Sequence, residues 1–178
     1  LPREVELERL GIFSANYKLA VLITIFIQIF RMGAEPFFFN KSKDENAQRT
    51  YARVMKFFVI ACCFMFLFIG LFLDAFRWIF ITFANKRWAE GLEVVPLLAL
   101  GNIFLGIYYN LSVWYKLTNK NMYGAYITIC GAAITIVLNI VLIPIWHYTG
   151  AAVATFCCYL FMMVSSYLLG QKYYPIPY

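Results

Sequence analysis

Polar residues are so sparse along this chain that its hydrophobic positions merge into runs long enough to cross a bilayer. The runs cover about residues 13–39, 54–73, 94–115, 122–145 and 150–170. Each meets the requirement of roughly 20 apolar residues for a hydrocarbon core about 30 Å thick. Between the second and third, residues 74–90 (DAFRWIFITFANKRWAE) are aromatic, basic and too broken to span. That pattern predicts a short amphipathic helix lying in the membrane interface, anchored by Trp78 and Trp88. The expected fold is therefore all-α: a polytopic transmembrane bundle of about five spans plus one interfacial helix.

The first run breaks its own pattern. LITIFIQIFRMGAEPFFF (residues 22–39) carries Gln28, Arg31, Glu35 and Pro36 among its apolar residues. One Arg at the bilayer centre costs roughly 2.5–3.5 kcal/mol on insertion scales. Tyr17, Thr24, Gln28, Arg31 and Glu35 follow steps of 7, 4, 3 and 4, so on a helix they share one narrow stripe. Lipid cannot hydrate that stripe, which predicts that it faces other helices or enclosed water. Arg31 and Glu35 stand at i and i+4, where they can pair. Pro36 withholds a donor from the carbonyl of Met32 and is expected to loosen the helix there. Two readings stay open: the pair snorkels to the headgroups and anchors the helix, or it lines a polar cavity that takes an anionic ligand. Lys18 lies roughly 120° from the stripe on the same helix and has the same two options.

The fourth run has a stripe of its own, Gly124, Thr128, Gly131, Thr135 and Asn139, and Gly150, Ala154, Cys158 and Ser165 extend the theme on the fifth. Small residues at such steps let helices approach closely. Asn139, five residues before Pro144, is the exception, a candidate to bridge a broken helix or to meet a ligand. Pro96 and Pro144 fall near span ends, where they either bend or terminate helices.

Composition supports the membrane reading. The 178 residues are 63% hydrophobic, 20% aromatic and only 13% charged, with mean hydropathy +0.72, whereas soluble domains are about half apolar and a quarter charged. The net charge of +6 therefore speaks of topology and anionic lipid, and not of nucleic acid. Lys41, Lys43, Arg49, Arg53, Lys56, Lys116, Lys120 and Lys172 fall on one side; Arg3, Arg9, Lys18, Arg77, Lys86 and Arg87 fall on the other. The densest loop, 40–56, is placed in the cytoplasm. Trp114, Tyr115 and Tyr123 then form one aromatic belt, and Trp78, Trp88, Trp146 and Tyr148 the other.

Chemistry of an enzymatic kind is not visible. The five cysteines, Cys62, Cys63, Cys130, Cys157 and Cys158, lie in apolar runs without CxxC spacing and read as small buried hydrophobes. The one histidine, His147, is expected in a short outer loop. No catalytic residue set, metal site or cofactor is predicted. The N-terminal LPREVELERLG lacks the features of a cleavable signal peptide and reads as an internal loop of a longer protein.

Several stretches together resemble a known family. GIFSANYKLAVLITIFIQIFRMGAEPFFF (11–39), VVPLLALGNIFLGIYYNLSVWYKLTNK (94–120), YGAYITICGAAITIVLNIVLIPIWHYTGAAVAT (123–155) and QKYYPIPY (171–178) resemble, in order, the eighth span, the tenth span, the eleventh span with the start of the twelfth, and the following segment of bacterial oligosaccharide flippases. These form the polysaccharide-biosynthesis (O-antigen) branch of the multidrug/oligosaccharidyl-lipid/polysaccharide exporter superfamily. The resemblance implies a two-bundle, alternating-access transporter of the bacterial inner membrane. Its cargo would be an undecaprenyl-pyrophosphate-linked oligosaccharide for lipopolysaccharide or other surface glycan. Residues 1–178 would then be a partial transporter domain, mostly second bundle, whose partners are membrane lipid, the lipid-linked cargo and the first bundle of the full chain. Thr24, Gln28, Arg31, Glu35, Asn139 and Lys18 would line the cavity. Alternatives are a drug/cation antiporter of the same fold, for which Glu35 is the candidate carboxylate, and a multipass glycosyl- or acyltransferase.

Overall fold

A computed structural model describes residues 3–83 and 86–178, and every element among them is helical. Helix α1 (Arg3–Lys41) leads through a short turn into α2 (Ala47–Leu71) and, after a break at Phe72, α3 (Leu73–Phe83). A 3₁₀ segment (Lys86–Val94) enters α4 (Val95–Leu111), followed by the five-residue α5 (Val113–Leu117) and α6 (Asn121–Tyr173). Four helical stretches are long and apolar enough to cross a membrane: Gly11–Lys41, Ala47–Leu71, Gly91–Leu117 and Asn121–Tyr173.

Local chemistry sets several boundaries. Pro96 stands in the first turn of α4, where its missing N–H costs nothing. Ser112 closes α4 by donating its hydroxyl to the Tyr109 carbonyl at 2.6 Å. Asn119, at φ 56°, reverses the chain before α6, a conformation that Asn tolerates better than most side chains.

The 53-residue α6 is two arms. His147 has φ 52° and ψ −127°, outside helical space, and there the chain folds back on itself. A Cβ on Gly150 would meet the carbonyl of Leu142 at 2.5 Å, and one on Gly131 would meet Met162 and Cys158. Tyr123 and Tyr173 share a hydroxyl hydrogen bond of 2.9 Å across 50 residues. In one straight helix those residues would be some 75 Å apart at 1.5 Å per residue. The expected outer loop around His147 is thus a single pivot residue, three positions after Pro144.

Contacts give the bundle its order. α1 and α4 run parallel: Asn102 donates Nδ2 to the Ala20 carbonyl at 3.1 Å, and Gly106 sits against Ile27. α2 runs antiparallel to α1, with Phe58 beside Phe30 and Tyr51 beside Phe38. The main core gathers Ile23, Ile27, Phe58, Cys62, Val95 and Ile103. At membrane depth such a core is held by close packing and interhelical hydrogen bonds, because lipid tails are as apolar as leucine. The outward faces carry Ile29, Met32, Phe64, Leu67, Ile129 and Ile140, all largely exposed.

Several expectations need correction. The segment expected as one interfacial helix over 74–90 is divided between α3 and the 3₁₀ segment; Trp78 is exposed, while the Trp88 side chain lies outside the described residues. Pro36, expected to loosen α1, lies inside a helix that continues to Lys41. Trp114 does not belong to a headgroup belt. It is 1% exposed, and its Nε1 donates to the Ser166 carbonyl at 3.2 Å beside Gly170. Cys63 and Cys130 face outward, while Cys62 and Cys158 are buried and Cys157 half-buried; successive residues of a helix are rotated by about 100°, so adjacent cysteines point in different directions.

Candidate functional site

The polar residues of α1 lie on the shoulder of the helix. Its buried positions are Ile12, Asn16, Ala20, Ile23, Ile27, Ala34 and Phe38. Thr24, Gln28, Arg31 and Glu35 are rotated roughly 80° from the centre of that face, at 100° per residue. Side chains there sit at the edge of a helix contact, and what α4 offers opposite decides each one's surroundings.

Opposite Arg31 and Glu35, α4 and α5 offer Tyr109, Asn110 and Lys116. The Arg31 guanidinium lies over the Tyr109 ring, 4.5 Å from its centroid, a contact that stabilises a partly desolvated cation. Arg31 Nε is 3.5 Å from Glu35 Oε2, the pairing that i, i+4 spacing allows. Glu35 Oε1 also accepts a hydrogen bond from Lys116 Nζ, 81 residues on. One carboxylate thus sits between two cations. The three side chains keep 40%, 34% and 26% exposure for Arg31, Glu35 and Lys116, so they are neither sealed nor free.

These residues line a narrow crevice of about 10 Å³, room for roughly one water molecule, walled by Ile27, Ala34, Phe38 and Val113 with Gly106 among its lining. Gly106 has a structural reason to be glycine: a Cβ there would fall 2.8 Å from Phe58 and 2.9 Å from Ile27. The Asn110 amide donates to the Gly106 carbonyl at 3.2 Å, which leaves its oxygen as a further polar group in the wall.

The other candidate residues are dispersed. Gln28 is exposed and Lys18 is exposed, both away from the crevice. Thr24 is half-buried, with its hydroxyl enclosed and lacking a hydrogen-bond partner. Asn139, on the first arm of α6, is half-buried with an enclosed, unpartnered Oδ1, and it does not line the crevice. Gly124, Gly131, Gly150 and Ala154 are buried at helix contacts. Thr128 and Thr135 return their hydroxyls to the carbonyls of Gly124 and Gly131, at 2.8 and 2.9 Å. Thr128 also meets the Tyr108 hydroxyl at 3.4 Å, and Tyr108 in turn lies 3.3 Å from the Tyr115 hydroxyl.

Tyr109, Lys116 and Asn102 are the residues that sequence reasoning missed. Asn102 ties α4 to α1 yet sits in an apolar run without periodic partners. Lys116 reads as a loop cation beside Lys120. No group of three or more histidine, cysteine or acidic residues is placed to hold a metal ion among the described residues. Comparison with protein-family models, curated proteins and solved structures finds no match to this chain.

Proposed function

We propose that this chain is part of a membrane transporter that accepts a phosphate-bearing, lipid-linked oligosaccharide and moves it across the bacterial inner membrane by alternating access. In this reading the first, second and fourth membrane stretches run α1, α2 and α6, with α4 and α5 forming the third. The two arms of α6 each cross the bilayer, giving five crossings, with α3 in the interface and loop 40–56 in the cytoplasm. The chain would supply most of the second of two bundles. The resemblance in residues 11–39, 94–120 and 123–155 supports the family and the cargo.

The observation that carries the proposal is the ion cluster of Arg31, Glu35 and Lys116 on the wall of an interhelical crevice. Ionisable groups at membrane depth are expensive and mark substrate or ion pathways. Two cations share one carboxylate, so the cluster has a net positive charge and can take an anion. Arg suits multidentate contact with phosphate oxygens, and Lys adds a point charge. Glu35 with two cationic partners is poorly placed to exchange protons, which argues against the antiporter. Replacing Arg31 with Ala in the full-length protein is expected to lower surface polysaccharide at least tenfold with protein abundance unchanged, while Arg31→Lys retains a larger part. Undiminished export by Arg31→Ala would refute the assignment.

A further inference from the structure

A second, larger groove runs along α2. One part, about 830 Å³, is lined by Arg53, Lys56, Phe57 and Ile60 of α2 together with Pro177 and Tyr178. A smaller part, about 200 Å³, shares Met55, Val59 and Tyr178 with it and passes over Leu111 to Met163 and Tyr167 of the second α6 arm. The shared residues make the two parts one continuous furrow between α2 and α6.

Its chemistry changes along its length. Arg53 and Lys56, both exposed, stand one turn apart near the start of α2. Phe57, Ile60 and Phe64 continue the same face deeper along the helix and are 65%, 41% and 68% exposed. None of the residues lining either part is acidic. The furrow therefore has a cationic mouth and an apolar body, the layout of a phospholipid with its phosphate at one end.

We propose that this furrow binds an anionic phospholipid, its phosphate on Arg53 and Lys56 and an acyl chain along Phe57, Val59, Ile60 and Met163. Basic pockets between membrane helices recognise anionic headgroups, and the Arg guanidinium matches phosphate oxygens in geometry. Charge complementarity selects the occupant. A protein helix laid in the furrow would bury two cations that have no acid facing them, at a heavy desolvation cost. A phospholipid brings its own anion and leaves the headgroup hydrated. The inference rests on residence in a bilayer and is independent of the transported cargo.

The test is native mass spectrometry of the full-length protein released from vesicles of equal phosphatidylglycerol and phosphatidylcholine. The wild type is expected to retain phosphatidylglycerol selectively. The R53Q/K56Q double variant should lose roughly 25-fold in retention, since each juxtamembrane cation is worth about a factor of five. R49Q, exposed on the same helix but outside the furrow, should match wild type. V59W, which fills the apolar body, should lower retention with both cations in place. Soluble glycerol phosphate should not displace the lipid; if it does, the site is for free phosphate and the proposal fails. Equal retention of the two lipids, or no loss in R53Q/K56Q, overturns it. So does a photoreactive side chain at position 57 that crosslinks to protein, a second copy or another segment, in place of lipid.

Discussion

Lys116 reaches across to Glu35 and donates a hydrogen bond to its carboxylate, tying the end of α1 to the short helix that follows α4. The same carboxylate holds Arg31 on its other oxygen, and Arg31 rests on Tyr109. A phosphate entering the crevice would compete with Glu35 for both cations. In the proposed transporter a phosphate-bearing cargo would have to loosen the tie between α1 and α5 to reach both cations, which is the kind of coupling a gate requires.

If that tie holds the helices together, the two ends must couple energetically. A double-mutant cycle of Glu35→Gln and Lys116→Gln, read by thermal unfolding of the full-length protein in detergent, is expected to give an interaction energy of about 1 kcal/mol. Strictly additive single effects would mean that the pair does not fasten α1 to α5.

His147 supplies a second prediction. Its φ of 52° with ψ of −127° lies in a region that side chains rarely adopt. His147→Gly should raise thermal stability by about 1 kcal/mol, and His147→Val should lower it by at least as much. Equal stabilities for the glycine and valine variants would show that the fold-back does not pivot there.

The contrast between two glycines tests the hairpin itself. Gly150 faces the Leu142 backbone, whereas Gly33 has nothing within 4 Å of a built Cβ. Gly150→Val should cost about 3 kcal/mol or prevent folding, because overpacking against backbone cannot be relieved by a rotamer change. Gly33→Ala should be neutral or slightly stabilising, since it removes helix-interior backbone freedom. The check is the melting temperature of each variant.

Much of the helix layout was legible because apolar runs at membrane depth can satisfy their backbone only as helices. The stretches expected over 54–73 and 94–115 appear as Ala47–Leu71 and Gly91–Leu117. Helix ends were less legible: amphipathic residues such as Lys41 and Lys116 extend helices beyond the apolar window that reveals them. The fold-back at His147 was visible as a break between two runs, but not as a single-residue pivot.

The site divides in the same way. Arg31 and Glu35 are one turn apart, so their pairing follows from helical spacing alone. Lys116 and Tyr109 meet them through the parallel packing of α1 on α4, a relationship set by surface shape along both helices. One chain carries no periodic signal for it. Gln28 shares the stripe of Arg31 by spacing yet lies exposed, because a stripe on the shoulder of a helix is only partly covered. The buried tryptophan at position 114 shows the converse: an aromatic at a span's end reads as a belt residue until Gly170 opens room for it.

The central claim is that the Arg31 crevice opens to water while the outer face of α1 meets hydrocarbon. The direct measurement is labelling of single cysteines by a membrane-impermeant thiol reagent, in intact protein freed of its five native cysteines, at positions 31 and 110 in the crevice and 29 and 32 outside it. Rapid labelling at 31 and 110, slowed by pyrophosphate-bearing lipid at 110, where Arg31 is kept, with positions 29 and 32 inert, is the expected result. Labelling at 29 and 32 with 31 and 110 silent would contradict it.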